Sequence, residues 1–186
     1  MIITLAGKPG SGKSTIAKLL AEKLKLKHYS TGDFMRQMAK ERGMTLEELS
    51  KIAETDKSID EELDERQRQF GKKENGFVID GRLAWHFIPH SVKIFLECSP
   101  EVSAKRIFSD KSHFRKSTEK QVADINEVIE KIKFRMGSEN KRYRKLYGIE
   151  QYDHKNYDLV IDTSSKTKDE IIKCILDFLE KGKVYK

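Results

Sequence analysis

Long apolar segments are missing from this sequence, and cysteine and proline are rare in it. No apolar run approaches the roughly 20 residues of a membrane-spanning helix, so no membrane partner is expected. The only two cysteines, Cys98 and Cys174, lie in apolar segments, which predicts two buried, reduced thiols and no disulfide. With three prolines, no internal repeat and no low-complexity tract, the 186 residues predict a single domain.

The N-terminus also lacks the features of a secretory signal. Residues 1–5 enter a strand pattern directly, without a basic region followed by an apolar one. Reduced thiols fit a reducing compartment. Together these features predict a cytoplasmic protein.

Charge, by contrast, is abundant. Charged residues make up 36% of the chain, the net charge is +7 and the isoelectric point is about 9.2. A solvated surface explains part of this excess, and a nucleic-acid partner would explain it too. A third explanation is a cleft that holds two phosphorylated ligands, which needs several arginines and lysines. Composition alone does not choose among the three.

Apolar patterning predicts alternating strands and helices. Short buried strands are expected at residues 2–6, 28–30, 77–80, 92–97 and 159–162. Amphipathic helical patterns are clearest at residues 16–24, 125–136 and 171–179. Strands separated by helices form right-handed crossovers, so we expect a doubly wound α/β fold of three layers with a five-stranded parallel sheet.

Two segments depart from that alternation. Residues 32–73 carry helical patterns without a strand, and Thr45 with Glu48 has the spacing of a helix capping box. Residues 109–120 are polar and basic without a clear period. Both are expected to extend from the carboxyl edge of the sheet, where open α/β sheets bind ligands.

A glycine-rich motif follows the first strand and opens the first helix. It reads Gly7-Lys8-Pro9-Gly10-Ser11-Gly12-Lys13-Ser14 and matches the P-loop pattern G-x-x-x-x-G-K-[ST]. Such a loop turns backbone N–H groups toward phosphate oxygens, and the helix dipole adds positive potential. Lys13 is expected to reach the β- and γ-phosphates, and the Ser14 hydroxyl to ligate Mg²⁺. The motif and the adjacent Thr15 therefore predict an ATP and magnesium site.

A second candidate magnesium ligand ends the strand at residues 77–80. Asp80 stands where a Walker B strand carries its carboxylate, and we expect it to hold Mg²⁺ through water. A turn cap before Gly81 is the alternative. Arg82 favours the metal site because it places a guanidinium nearby. The guanine-reading N-K-x-D motif of GTPases is absent, which favours a kinase.

Further motifs resemble a known enzyme family. The P-loop, Ser30-Thr-Gly-Asp-Phe-Met-Arg36 and Asp80-Gly-Arg82 together resemble nucleoside monophosphate kinases. Six more stretches resemble archaeal-type cytidylate kinases: Lys40-Glu-Arg-Gly-Met-Thr-Leu-Glu-Glu48, Ile59-Asp60, Gly81-Arg-Leu-Ala84, Ser138-Glu-Asn-Lys-Arg-Tyr143, Tyr147-Gly-Ile149 and Tyr157-Asp-Leu-Val-Ile-Asp-Thr163. The resemblance is collinear from about residue 1 to about residue 163.

The resemblance implies a monomeric, ATP-dependent enzyme with two mobile inserts. Residues 32–73 would be the nucleoside monophosphate-binding insert and residues 109–120 the LID. Both would close over the two nucleotides and exclude water. The acceptor site implied by the resemblance consists of Thr31, Gly32, Arg36, Asp80 and Arg82, and the two arginines would clamp the acceptor α-phosphate.

Two further arginines have roles implied by the resemblance. Arg106 would stack near the donor base, and Arg135 would reach the γ-phosphoryl group in transit. For Arg135 the alternative is a solvated helix flank paired with Glu139. Arg142 lies seven residues after Arg135, on the same edge of the apolar stripe. For Arg142 both roles, contact with the γ-phosphoryl group and a solvated helix flank, stay open.

Base selectivity is less well defined by the sequence. Asp60 and Asp64 lie one helical turn apart and suit the N4 amino group of cytosine, but an acidic solvated face is the alternative. Trp85-His86-Phe87 stands where the family pattern leads one to expect a small residue. Two roles stay open for His86, that of a general base and that of a residue that packs against its aromatic neighbours.

These features predict a cytidylate kinase that transfers the γ-phosphoryl group of ATP to CMP or dCMP, giving ADP and CDP or dCDP. Adenylate kinase or another small P-loop kinase is the alternative enzyme. A non-enzymatic nucleic-acid-binding P-loop protein is the alternative outside enzymes. It is disfavoured because no interleaved aromatic and basic stripe appears.

Overall fold

The fold is known from a computed structural model, which describes residues 1–53, 55–109 and 124–183. Within these residues, five strands form one sheet in the order β2-β3-β1-β4-β5. The strands are β1 (Ile2–Gly7), β2 (Lys27–Ser30), β3 (Phe77–Asp80), β4 (Val92–Glu97) and β5 (Leu159–Asp162). All five lie where the sequence predicts them, and the α/β fold with a parallel sheet is confirmed.

The helices of the described residues fill the intervals between strands. They are α1 (Lys13–Leu24), α2 (Thr31–Glu41), α3 (Leu46–Ala53), α4 (Lys57–Lys73), α5 (Ala84–Phe87), α6 (Pro100–Ser109), α7 (Ile125–Tyr147) and α8 (Lys168–Lys183). A 3₁₀ turn spans His154–Asn156. No helix among the described residues is long and apolar enough to cross a membrane.

The chain divides into two compact units. The first contains Met1–Ala6 and Ser14–Ile94, and the second contains Gly7–Lys13 and Phe95–Lys186. In the first unit, β3 pairs in parallel with both β1 and β2. The register places Leu5 and Ser30 opposite Asp80, so the carboxyl ends of the three strands lie at one edge. The polar residues that follow these strands are thereby brought together.

Helices α2, α3 and α4 pack around a small core of their own in the first unit. Its buried residues are Met38, Ala39, Leu49 and Ile59. The start of α3 carries the capping box expected from the sequence. The Thr45 N–H donates to Glu48 Oε2 at 2.7 Å, and the Glu48 N–H donates to Thr45 Oγ1 at 3.2 Å. The prediction of a helical, strand-free segment is thus confirmed, whereas its role in acceptor binding stays a prediction.

In the second unit, α6 packs against α7 through Ala104, Val128 and Ile132, all buried. Ile171, Ile172, Ile175 and Leu179 form the buried stripe of α8. Of the predicted LID at residues 109–120, only Ser109 is described, and it is the last residue of α6. The rest of that segment lies outside the described residues.

Both cysteines are free, but only one of them is buried. Cys98 is 2% exposed, whereas Cys174 is exposed. The prediction of two buried thiols is therefore wrong for Cys174. Its neighbours Ile171 and Ile175 lie in the buried stripe of α8, and helical periodicity turns position 174 away from that stripe.

We expect a thiol reagent such as DTNB to modify one cysteine per native chain within minutes and both in denaturant. Burial shields Cys98 and raises the pKa of its thiol, so less of the reactive thiolate forms. Absorbance at the wavelength of the released thiolate measures both stages. Cys174→Ser should remove the fast reaction, and two fast thiols in the native wild type would contradict the burial of Cys98.

Candidate active site

The P-loop runs from β1 into α1, as predicted. Because α1 begins at Lys13, the first N–H groups of this helix have no partner within it and are available for an anion. Gly10 has a φ of +71°, and a Cβ at this position would lie 2.5 Å from Ser103 Oγ. Glycine is therefore required there on both conformational and steric grounds. The loop and its helix have the form that binds phosphate groups.

Side chains of α6 and of the residue after β5 bind the P-loop backbone. Ser103 Oγ donates to Pro9 O at 2.5 Å, and Arg106 Nη1 donates to Gly10 O at 3.3 Å. Arg106 also donates to Thr163, through Nη1 to Oγ1 at 3.1 Å and through Nη2 to the carbonyl oxygen at 2.7 Å. Arg106, predicted to stack near the donor base, thus contacts the P-loop and the end of β5.

An ion-pair network at the end of β4 holds a P-loop lysine. Lys8 Nζ lies 2.6 Å from Glu97 Oε2, and His154 Nε2 lies 2.8 Å from Glu97 Oε1. Burial alone would raise the pKa of Glu97, but the bonds from Lys8 and His154 outweigh it and lower that pKa. Sequence reasoning missed Glu97 and His154, because the 57 residues that separate them give no local signal.

The predicted magnesium ligands lie together in the first unit. Ser14 Oγ donates to Asp80 Oδ2 at 2.8 Å, and His28 Nε2 lies 2.7 Å from Asp80 Oδ1. Asp80 is 6% exposed. The alternative role of Asp80 as a turn cap does not explain its bond to the Ser14 hydroxyl. His28 is a neighbour that sequence reasoning missed, because only the pairing of β2 with β3 brings it to Asp80.

The donor set at this position fits a magnesium ion that is bound mainly by its nucleotide. A hydroxyl and a carboxylate supply the oxygen ligands that Mg²⁺ prefers. No group of three or more His, Cys, Asp or Glu side chains within the described ranges is arranged to hold a metal. Phosphate oxygens and water would therefore complete the coordination, as is usual at P-loops.

The predicted acceptor residues follow β2 and β3. Thr31 Oγ1 lies 3.4 Å from Gln67 Oε1, and a Cβ at Gly81 would lie 1.9 Å from Thr31 Oγ1. A side chain at position 81 would therefore displace the Thr31 hydroxyl. Gly32 stands in the first turn of α2. The fold thus brings Thr31 beside the segment Asp80–Arg82.

The motif at residues 30–36 has a local structural role. The Asp33 N–H donates to Ser30 Oγ at 3.2 Å, and the Ser30 N–H donates to Asp33 Oδ2 at 3.0 Å, which forms a capping box for α2. Arg36, largely exposed, pairs with Asp33. Partial burial would raise the pKa of Asp33, but hydrogen bonds from Arg36 and Ser30 lower it. The motif therefore holds Arg36 at the first turns of α2.

The acidic face of α4 is only partly solvated. Asp64 is 6% exposed and Gln67 is 2% exposed, whereas Asp60 is half-buried. The expectation of a solvated acidic face is wrong for Asp64, because α4 turns this side toward the rest of its unit. A buried carboxylate on α4 was not foreseeable from the run of charges in the sequence.

The aromatic segment after Arg82 packs into the first unit. Trp85 Nε1 donates to Arg82 O at 3.1 Å, and the Arg68 guanidinium lies 4.7 Å from the centre of the Phe87 ring. Burial and the nearby Arg68 lower the pKa of His86. The centre of the His86 ring lies 5.7 Å from that of Trp85 and 5.0 Å from that of Phe87, which agrees with a packing role for His86.

The arginines of α7 have partners on their own helix. Arg135 Nε donates to Glu139 Oε1 at 2.9 Å, which is the solvated-flank pairing considered above. Arg142 Nη2 donates to the Tyr143 hydroxyl at 3.4 Å. A catalytic role for Arg135 stays a prediction.

The chain is similar in sequence to known cytidylate kinases. A cytidylate kinase from Methanocaldococcus jannaschii is 46% identical over 169 residues, covering 88% of this chain and 89% of that protein. One from Methanopyrus kandleri is 39% identical over 191 residues, covering 95% and 93%.

Solved structures support the fold. An uncharacterized protein from Eubacterium ventriosum aligns with a TM-score of 0.72 at 19% identity, covering 97% of this chain and 98% of its own. Shikimate kinase from Bacteroides thetaiotaomicron aligns with a TM-score of 0.66 at 15% identity, with the same coverage. A sequence model of the cytidylate kinase-like family matches residues 2–165, and the chain belongs to that family.

Proposed function

We propose that this protein is a cytidylate kinase that transfers the γ-phosphoryl group of ATP to CMP or dCMP. The observation that carries the proposal is the 2.8 Å bond between Ser14 and Asp80, which joins the P-loop hydroxyl to the carboxylate that ends β3. That pair is the magnesium-binding half of a phosphoryl-transfer site. The acceptor is assigned from the relatives named cytidylate kinase.

The donor triphosphate is proposed to bind at residues 7–15. Backbone N–H groups of the loop and of the start of α1 bind phosphate oxygens, and Lys13 reaches the β- and γ-phosphates. Ser14 and Asp80 would hold Mg²⁺, which neutralises charge on the phosphates when it is bound. His28 orients the Asp80 carboxylate from the opposite oxygen, at 2.7 Å.

The acceptor monophosphate is proposed to bind beside Thr31 and Gly32. Arg36 and Arg82 bind its phosphate and orient one oxygen toward the γ-phosphorus. This oxygen forms the new P–O bond while the bond from the γ-phosphorus to the bridging oxygen breaks, and ADP leaves with that electron pair. The acceptor oxygen carries no proton, so the chain needs no general base, and the residues act by positioning and charge neutralisation.

Arg135 is proposed to stabilise the transferring group. To do so it must exchange its bond to Glu139 for phosphate oxygens. The two residues have i,i+4 spacing, and the side chain is 58% exposed for Arg135 and 13% exposed for Glu139. A charge-assisted bond to phosphate would replace the bond to Glu139.

The proposed cellular setting is the cytoplasm, with the enzyme acting as a monomer on small nucleotides. Both cysteines are free, which agrees with a reducing compartment.

With ATP and Mg²⁺ present, CMP or dCMP should be phosphorylated in preference to UMP, AMP, GMP and shikimate. Lys13→Ala should lower kcat by about 10²-fold or more, because it removes a charge that contacts the phosphates in the transition state. ADP formation in a coupled assay measures both effects. Lys18→Ala, an exposed change on the same helix, is the control and should retain full activity. Faster turnover of another acceptor would refute the cytidylate assignment.

The magnesium assignment is tested by a titration. Ser14→Ala and Asp80→Asn should each raise the Mg²⁺ concentration needed for half-maximal activity, by about tenfold, because each removes an oxygen that holds the ion. Ser165→Ala and Asp177→Asn are matched controls at exposed positions of the chain. Unchanged magnesium curves in both active-site variants would mean that these oxygens do not hold the ion.

A further inference from the structure

The P-loop backbone has two faces with different requirements. N–H groups that converge on a phosphate leave the carbonyl groups of neighbouring peptide units directed away from it, and buried carbonyls need donors of their own. In this chain Lys8 O accepts from the Ser11 N–H at 3.2 Å, within the loop itself. The next three carbonyls, of Pro9, Gly10 and Ser11, have side-chain donors from elsewhere in the second unit.

Each of these three carbonyls has a different donor. Ser103 Oγ lies 2.5 Å from Pro9 O, and Arg106 Nη1 lies 3.3 Å from Gly10 O. Thr163 Oγ1 lies 3.3 Å from Ser11 O and 2.8 Å from Glu97 O, so its one hydroxyl proton is shared between these two carbonyls. We call Ser103, Arg106 and Thr163 the carbonyl clamp. Consecutive carbonyls are thus held by two residues of α6 and by the residue that follows β5.

The clamp is itself held in place. Thr163 is fully buried, and its N–H donates to Glu97 O at 3.0 Å. Its hydroxyl accepts from Arg106 Nη1 at 3.1 Å, so these two side chains form a connected pair. Ser103 is 2% exposed and sits against Gly10, where a Cβ would not fit. Such bonds, which are at least partly buried, leave the loop few alternative conformations.

We propose that the carbonyl clamp positions the P-loop for the donor triphosphate, with Arg106 acting through the Gly10 backbone. The Arg106 guanidinium directs its Nη1 and Nη2 groups at Gly10 O and at Thr163, so its in-plane hydrogen bonds go to the loop and to the residue after β5. Because the clamp holds the loop that binds phosphate groups, its effect is expected on the polyphosphate part of the donor. This inference rests on the proposed function only where its test measures KM values.

The test compares a donor that has a base with one that has none. Binding of ATP and of inorganic tripolyphosphate, each with Mg²⁺, is measured by calorimetry on the full chain and on Ser103→Ala, Arg106→Gln and Thr163→Val. Lys105→Gln is the matched control for Arg106→Gln, since Lys105 is exposed on the same helix. Thr163→Ser restores the hydroxyl and serves as the rescue variant. Thermal unfolding of each variant establishes that it is folded.

Each clamp variant should weaken ATP and tripolyphosphate equally, by about five- to thirtyfold, because a buried carbonyl loses its donor and the loop relaxes. The KM for ATP should rise by a similar factor while the KM for CMP stays within about twofold, a split that a general loss of stability would not produce. Thr163→Ser should bind both ligands as the wild type does.

Three outcomes would overturn the inference. A loss confined to ATP in Arg106→Gln would mean that this residue contacts the base. Unchanged binding of both ligands would mean that the loop is held without the clamp. Equal rises in KM for ATP and CMP would indicate a general structural effect.

If the wild type phosphorylates no monophosphate but the tripolyphosphate losses occur, the proposed function fails and the clamp stands.

Discussion

A P-loop can direct its N–H groups at phosphate only if the carbonyls on its other face are satisfied. In this chain that condition is met by side chains far away in sequence: Thr163 is 152 residues from Ser11, whose carbonyl it faces. Glu97 adds a second anchor through Lys8, at 2.6 Å. The glycine-rich motif is therefore necessary for the loop, but its conformation depends on α6 and on the ends of β4 and β5.

The candidate metal site depends on the pairing of the strands. Asp80 ends β3, and parallel pairing sets it level with Leu5 of β1 and with Ser30 of β2. This register is what allows Ser14, soon after β1, and His28, within β2, to reach opposite oxygens of one carboxylate. A shift of one residue in β3 would turn Asp80 to the other face of the sheet.

Prediction from sequence worked where the signal is local. All five strands, the α1, α7 and α8 patterns and the Thr45 capping box follow from short-range periodicity and spacing. It worked less well where burial depends on neighbours. Cys174 is exposed although its segment is apolar, and Asp64 is buried although its segment is acidic. In both cases the burial of the side chain depends on which side of the helix faces the core, and composition does not reveal that side.

By itself the sequence determined the family and the P-loop, because motif spacing encodes these directly, and it singled out Ser14 and Asp80 as the candidate magnesium ligands. Only the tertiary structure decided that Arg106 lies on the Gly10 carbonyl, that Glu97 joins Lys8 to His154, and that His28 lies against Asp80. Those contacts join residues 52 to 96 positions apart. Only strand order and helix packing bring such distant positions within bonding distance.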